Sequence, residues 1–429
     1  MNKKNTLPGE DDIIRIVLEN GITVLTRADY SGSSVVINGF FPAGSILEPE
    51  GLEGLTSLMA IGFSKGTEKH TEQQISEKIE SCGASLGFAS GTSTIAFSGR
   101  SLPEDLPMLL NQLFEILDSP TFPEEKLEQI RSLTLTGLAL REQSTSDMSE
   151  ILFDHLLFGN HPYGRDSDGS PASIARITRD DLLKFHQNFI GPEGMVICVV
   201  GNIDPQKAVD SISAVFGSWK KPVRNDLKQL PVFPIVPPQK MIKGHHEIPE
   251  KSQLDLMVGS LGPSRTDPDY IAGEIGNEIL GQFGMMGRIG KVVRDQNGLA
   301  YYADSDLTGM ELCGEWSVSA GVNPQNLNRA LDLVLKEIRR FSSEPVTPEE
   351  LDDVKTSLIG QLPLSMESNQ GVARALLKIE RFNLGLNYYR ELAEKINVIT
   401  AEDVLCTASR YLIPDKLVVA TAGTLEKTA

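Results

Sequence analysis

Apolar positions along the chain switch between two spacings, and each switch predicts a change of element. Residues 13–18 and 22–25 are short apolar-rich runs on either side of Asn20-Gly21. Asn-Gly favours the type I′ turn, so the two runs predict a β-hairpin. Residues 35–41 predict a third strand. From residue 52 to 63 the spacing becomes helical, with Leu52, Leu55, Met59 and Phe63 on one face. Residues 71–81 predict a second helix ended by Gly83, and residues 92–98 a strand. Residues 103–117 and 123–141 predict long helices. Pro123 opens the latter, and Glu124 and Glu125 suit the positive end of a helix.

The pattern then repeats. Ile177-Thr178-Arg179-Asp180-Asp181 is answered 222 residues later by Ile399-Thr400-Ala401-Glu402-Asp403. The same offset takes Phe189 to Tyr411, Pro192 to Pro414 and Gly201 to Gly423. Each Thr-x-x-Asp predicts a capped helix start, resembling a capping box with Asp in place of Glu. A proline-bearing loop then leads to a buried strand, at 195–200 and at 417–420. Pro348-Glu349-Glu350 likewise resembles Pro123-Glu124-Glu125. Two homologous α+β halves are expected, covering residues 1–222 and 241–429, with a proline-rich linker at 223–240. Strands and helices do not alternate strictly, so each half is expected to be a mixed or antiparallel sheet with helices on one side, unlike a Rossmann fold.

Composition narrows the function. The 429 residues include 40 basic and 58 acidic side chains, a formal net charge of −18. That balance argues against nucleic acid and against an anionic membrane surface as partners, and leaves basic or neutral peptides acceptable. Cys82, Cys198, Cys313 and Cys406 have neither disulfide-framework nor zinc spacing. Residues 1–12 carry no signal-peptide core and no Arg-rich amphipathic pattern, and no 18-residue apolar run occurs. A soluble, cytoplasmic protein is the expectation. No G-x-S-x-G is present, and the glycines at 281, 284, 287 and 290 lack the Gly-Lys-Ser/Thr ending of a phosphate loop. His245-His246-Glu247 is the one histidine cluster, but strand neighbours point to opposite faces and chelate poorly together. His161 reads as a structural loop residue.

Four motifs carry a family resemblance. They are Gly51-Leu52-Glu53-Gly54-Leu55, Phe63-Ser64-Lys65-Gly66-Thr67, Gly83-Ala84-Ser85 and His161-Pro162-Tyr163-Gly164-Arg165. With the two Ile-Thr-x-x-Asp helix starts, they resemble the pitrilysin/insulinase family of zinc metallopeptidases over nearly the whole chain. In that family an inverted H-x-x-E-H motif on the first helix supplies two zinc ligands and the general base, and a later glutamate supplies the third ligand. Here the motif positions fall on Gly54, Ser57 and Leu58, and the third-ligand region has Thr136 and Gly137. No zinc site or other metal is therefore expected in this chain.

The second half keeps what the first has lost. Arg294 and Tyr301, seven residues apart around Asn297-Gly298, match the family's arginine and tyrosine at a helix-to-strand junction. There the pair binds substrate backbone and stabilises charge developing on the scissile carbonyl. A guanidinium fork and a phenol hydroxyl are suited to that task. Gly281, Gly284 and Gly287 match the family's glycine-rich loop near the chamber entry, although a kinked helix is an equal reading. The resemblance thus implies a non-catalytic, substrate-binding subunit of a heterodimeric zinc metalloendopeptidase. A homologous partner bearing H-x-x-E-H would hold the zinc, a peptide would be the substrate, and this chain would supply part of the chamber wall. The alternatives are a proteolytically inactive scaffold on the same fold and, for the isolated chain, a homodimer.

Overall fold

Runs of β-branched and aromatic residues form several of the strands where the sequence predicts them, among them residues 35–41 and 196–201; strands at 85–90, 254–262 and 314–322 were not read from the sequence. The computed structural model describes residues 7–221 and 234–425, so most of the expected linker, with Pro231, lies outside the described residues. The strands are β1 Ile14–Val17, β2 Thr23–Ala28, β3 Val35–Phe41, β4 Ser85–Ser90, β5 Ile95–Ser101, β6 Val196–Gly201, β7 Ile242–Glu247, β8 Leu254–Gly262, β9 Ala300–Gly309, β10 Gly314–Val322 and β11 Val418–Gly423. The helices are α1 Leu55–Gly62, α2 Glu72–Glu80, α3 Leu106–Asp118, α4 Glu124–Arg141, α5 Thr145–Phe158, α6 Pro171–Arg176, α7 Arg179–Phe189 and α8 Pro205–Phe216, followed by α9 Tyr270–Asn277, α10 Phe283–Gly290, α11 Leu327–Phe341, α12 Pro348–Ser365, α13 Asn369–Arg381, α14 Tyr388–Val398 and α15 Ala401–Tyr411.

The opening hairpin forms with a different turn from the one predicted. Gly21 takes φ 91°, but Asn20 does not enter the left-handed region that a type I′ turn requires. Asn20 instead points its amide inward, donating to the carbonyls of Phe216 at 2.8 Å and Trp219 at 3.2 Å. A tertiary contact thereby overrides the local preference.

The α+β architecture has two sheets. The first runs β1-β2-β6-β3-β5-β4 and the second β7-β11-β8-β10-β9. Each has one parallel pair, β2 with β6 and β7 with β11, among antiparallel neighbours. The repeat is visible in the caps. Thr178 Oγ1 accepts from the Asp181 N–H while the Asp181 carboxylate accepts from the Thr178 N–H, and Thr400 and Asp403 do the same.

Two compact units result, and each draws on both halves of the chain. The described residues of Met1–Leu138, Asp166–Val232 and Leu362–Arg390 form one unit; those of Ala139–Arg165, Phe233–Gln361 and Glu391–Ala429 form the other. The first sheet is built from residues within 1–222 and the second from residues within 241–429, and each compact unit also takes a helical segment from the opposite half. In the first unit, Val35, Ile37 and Phe41 of β3 face a core with Leu58, Leu109, Leu113 and Ile212. The other face of β3 and β6 is also buried, and α13 packs there through Val372, Leu376 and Ile379. Arg15 of β1 fixes α13 with two bonds to Glu380, of 2.8 and 2.7 Å. In the second unit, α5 covers β7, β8 and β11. Its Phe153 is fully buried, and a Cβ at Gly259 of β8 would lie 3.0 Å from that ring.

Candidate functional site: a helix-to-strand junction and a glycine-rich loop

The first helix carries none of the chemistry that zinc requires. Gly54 sits at φ 91° and marks the start of α1, three residues after the predicted start. A Cβ there would lie 2.6 Å from Ile174 Cδ1 and 2.7 Å from the Asp168 carbonyl, so the position excludes a histidine. Leu58 is fully buried in the core, and Ser57 offers only a hydroxyl. On α4, Thr136 donates its hydroxyl to the Ser132 carbonyl at 2.9 Å, and Gly137 has no side chain. Among the described residues no three His, Cys, Asp or Glu side chains converge where a metal could sit. The donors present do not fit the zinc that the fold family implies.

A carboxylate that local patterning does not announce organises this helix. Gly54 provides no side-chain cap, and Glu48 takes over. Its carboxylate accepts from the Gly54 N–H at 3.1 Å, the Thr56 N–H at 2.7 Å and the Thr56 hydroxyl at 2.6 Å. Burial pushes the Glu48 pKa up to about 7, although the bonds from Thr56 and Gly54 oppose the shift. A carboxyl whose folded pKa is raised stabilises the fold most below its unfolded pKa of 4.5. That contribution, at most about 3 kcal/mol, is lost as pH rises through 7. The Tm of the wild type should therefore fall from pH 5 to pH 8 relative to that of Glu48→Gln. Parallel Tm-against-pH curves for the two proteins would overturn this assignment.

The second unit presents the features that the family resemblance picks out. The glycine-rich stretch is not a continuous helix. Glu278–Gln282 is a π-helical turn, and Gly284, Met286 and Gly287 take φ of 69°, 70° and 56°. Close approach explains two of the glycines. A Cβ at Gly281 would meet the Ser305 backbone nitrogen at 2.2 Å, and one at Gly287 would meet the Gly281 nitrogen at 2.6 Å. The loop is fastened to β9: Gln282 Nε2 donates to the Ser305 carbonyl, and the Ala303 N–H donates to Met286 Sδ at 3.3 Å.

Arg294 lies on a second π-helical turn, Lys291–Asp295, where an ordinary helix was expected. Such turns recur at functional sites. The stop at Asn297-Gly298 is as predicted: Gly298 takes φ 61°, and its N–H closes on the Arg294 carbonyl at 2.8 Å. Strand β9 then begins, and Tyr301 stands out from it with 63% of its surface exposed. Among the described residues neither the Arg294 guanidinium nor the Tyr301 hydroxyl makes a hydrogen bond or ion pair. Both sets of donors remain open to a ligand.

The next residue anchors this strand. The Tyr302 hydroxyl donates to Asp255 Oδ1 at 2.5 Å, and Thr145 of α5 donates to the other oxygen of the same buried carboxylate. Burial, then this bond, push the Tyr302 pKa up. The sequence placed Arg294, Tyr301 and the glycines on neighbouring elements, and the structure ties the glycine loop to the strand bearing Tyr301. The Asp255 anchor escaped notice because its partners come from residues 145 and 302, far apart in sequence.

His245 and His161 have structural environments. His245 Nδ1 meets Thr421 Oγ1 of the neighbouring β11 at 2.9 Å, and its Nε2 meets Glu247 of its own strand at 3.0 Å. His161 is buried, and its Nδ1 accepts from the Tyr163 N–H at 3.1 Å.

Fold and motifs together define a two-sheet peptidase-type architecture. Residues 23–160 match the family described as Insulinase (Peptidase family M16), and residues 176–358 match the Peptidase M16 inactive domain. The chain belongs to the M16 peptidase family, with an inactive-type second domain. It is 25% identical over 409 residues to an uncharacterized zinc protease of Streptomyces coelicolor, covering 94% of this chain and 88% of that one. It is also 25% identical over 424 residues to the mitochondrial-processing peptidase subunit beta of Saccharomyces cerevisiae, covering 92% and 87%. A crystal structure of a peptidase M16 inactive domain from Pseudomonas fluorescens superposes with a TM-score of 0.88 at 26% identity, covering 97% of this chain and 99% of that one. No helix among the described residues is long and apolar enough to cross a membrane.

Proposed function

We propose that this chain is the non-catalytic, substrate-binding subunit of a heterodimeric zinc metalloendopeptidase. Arg294 and Tyr301 carry the reading: their donors are uncommitted, whereas every position that would bind zinc lacks a ligand. The partner supplies zinc and the general base. This chain holds the peptide, with Arg294 and Tyr301 donating to its backbone and to the scissile carbonyl oxygen as negative charge builds there. The guanidinium carries its charge at every working pH, so the donors need no proton transfer to act. A relative named as one subunit of a processing peptidase supports a role within a pair.

The test is a pull-down of the tagged full chain from its native lysate. A stoichiometric homologue of similar size bearing H-x-x-E-H is expected, with peptide hydrolysis that requires both chains. Recovery of the bare chain, or of a complex with no such homologue, would overturn the reading.

A further inference from the structure

A cavity of about 720 Å³ lies within the second unit, between the glycine-rich loop and helices α11 and α12. Pockets of about 300–1,000 Å³ suit small organic ligands. Arg288 and Glu337 line it, and only 8% and 5% of their surfaces are exposed. Arg288 spends two donors on Glu350, Nε to Oε1 at 2.7 Å and Nη2 to Oε2 at 2.6 Å. Its Nη1 has no hydrogen-bond partner, and neither has Glu337 Oε1. The two atoms stand 3.9 Å apart, an ion pair too long to be a hydrogen bond. Buried charged groups are normally satisfied, so one spare donor and one spare acceptor on a cavity wall point to an occupant.

The chemistry of that occupant follows from what else is uncommitted. Lys291, Glu349 and Asp353 also line the cavity, and none has a hydrogen bond or ion pair among the described residues. Open groups of both signs therefore face one space. Ile279, Val292 and Val354 supply apolar wall between them. A ligand of single charge would leave either Arg288 Nη1 or Glu337 Oε1, both buried, without a hydrogen-bond partner.

We propose that this cavity binds a short peptide with free termini and apolar side chains. The ammonium group donates to Glu337 Oε1, with Asp353 and Glu349 nearby. The carboxylate accepts from Arg288 Nη1 and Lys291. The cavity is roomier than a single amino acid needs, and Phe283 and Met285 of the glycine-rich loop also line it. A peptide seated there touches the same loop that is fastened to the strand of Tyr301.

Calorimetric titration of the isolated full chain tests the proposal without partner or zinc, so its outcome is independent of the proposed pairing. The probe is leucyl-leucine, with N-acetyl-leucyl-leucine, leucyl-leucinamide and free leucine as controls. Saturable binding of leucyl-leucine is expected. Capping either terminus should weaken it by about tenfold or more, as loss of one charge-assisted bond requires. Glu337→Gln and Lys291→Gln should weaken it similarly. The Lys291 variant keeps the Arg288–Glu350 pair and so separates lost binding from lost folding. Failure of the folded chain to bind leucyl-leucine would overturn the proposal, leaving solvent to bridge Arg288 and Glu337. Equal binding of the capped peptides, or tighter binding of free leucine, would overturn it as well.

Discussion

Cut after residue 232, neither fragment should fold alone, and the two should become soluble only when expressed together. The first fragment lacks α13, which covers the second face of β3 and β6. Val36, Phe40, Val196 and Val200 are buried in the intact chain and lie on that face. The second fragment lacks α5, whose Phe153 and Leu157 are buried in the unit built on β8 and β11. Burying Val372, Leu376 and Ile379 of α13 contributes roughly 5–9 kcal/mol, at about 1.5–3 kcal/mol for each side chain. A domain's whole stability is about 5–15 kcal/mol, so removing the helix is enough to unfold the unit. Its absence also leaves an apolar sheet face open to aggregation. Separate and joint expression, followed by far-UV circular dichroism and size-exclusion chromatography, decides the matter. A soluble, cooperatively unfolding fragment of residues 1–232 would show that α13 is dispensable.

That prediction marks where sequence reading stops. Strand β3 was legible because five of its seven residues are bulky apolar ones, and both Thr-x-x-Asp starts were legible because a cap is a local device. The destinations of α5 and α13 were not. Periodicity shows that a helix has an apolar face but not which sheet the face will cover, and here each helix covers the sheet of the other half. The start of α1 was misplaced for a related reason. Leu52 keeps the helical spacing, but the backbone turns at Gly54 and the cap arrives from Glu48, six residues upstream. The candidate site divides the same way. Arg294, Tyr301 and the three glycines could be picked out through family resemblance and local stop signals. The bonds joining Gln282 to Ser305, and Arg288 to Glu350, link residues whose separation no short pattern encodes.

In the proposed complex with a zinc-bearing partner, Arg294→Ala should lower kcat by roughly 100-fold or more, the usual effect of deleting a donor to a developing oxyanion. Tyr301→Phe removes one hydroxyl and little else, since the ring is already exposed. It should also reduce kcat, by less than the arginine change if Tyr301 supplies a single neutral donor. Neither side chain makes a hydrogen bond or ion pair among the described residues, so each variant should keep the Tm and the partner affinity of the wild type within error. The pattern of kinetic loss separates two roles. If the pair only holds the peptide, KM rises and kcat stays, whereas donors that act on the transition state lower kcat. Arg294→Lys sharpens the distinction. It keeps the charge but loses the planar fork, and should recover only part of the activity if two directed bonds matter. Under the proposed division, in which the partner holds the zinc and the general base, the partner's metal content should be unchanged in every variant. Full activity of the Arg294→Ala complex would refute the role proposed for the pair and leave the junction as a helix stop followed by an exposed strand residue.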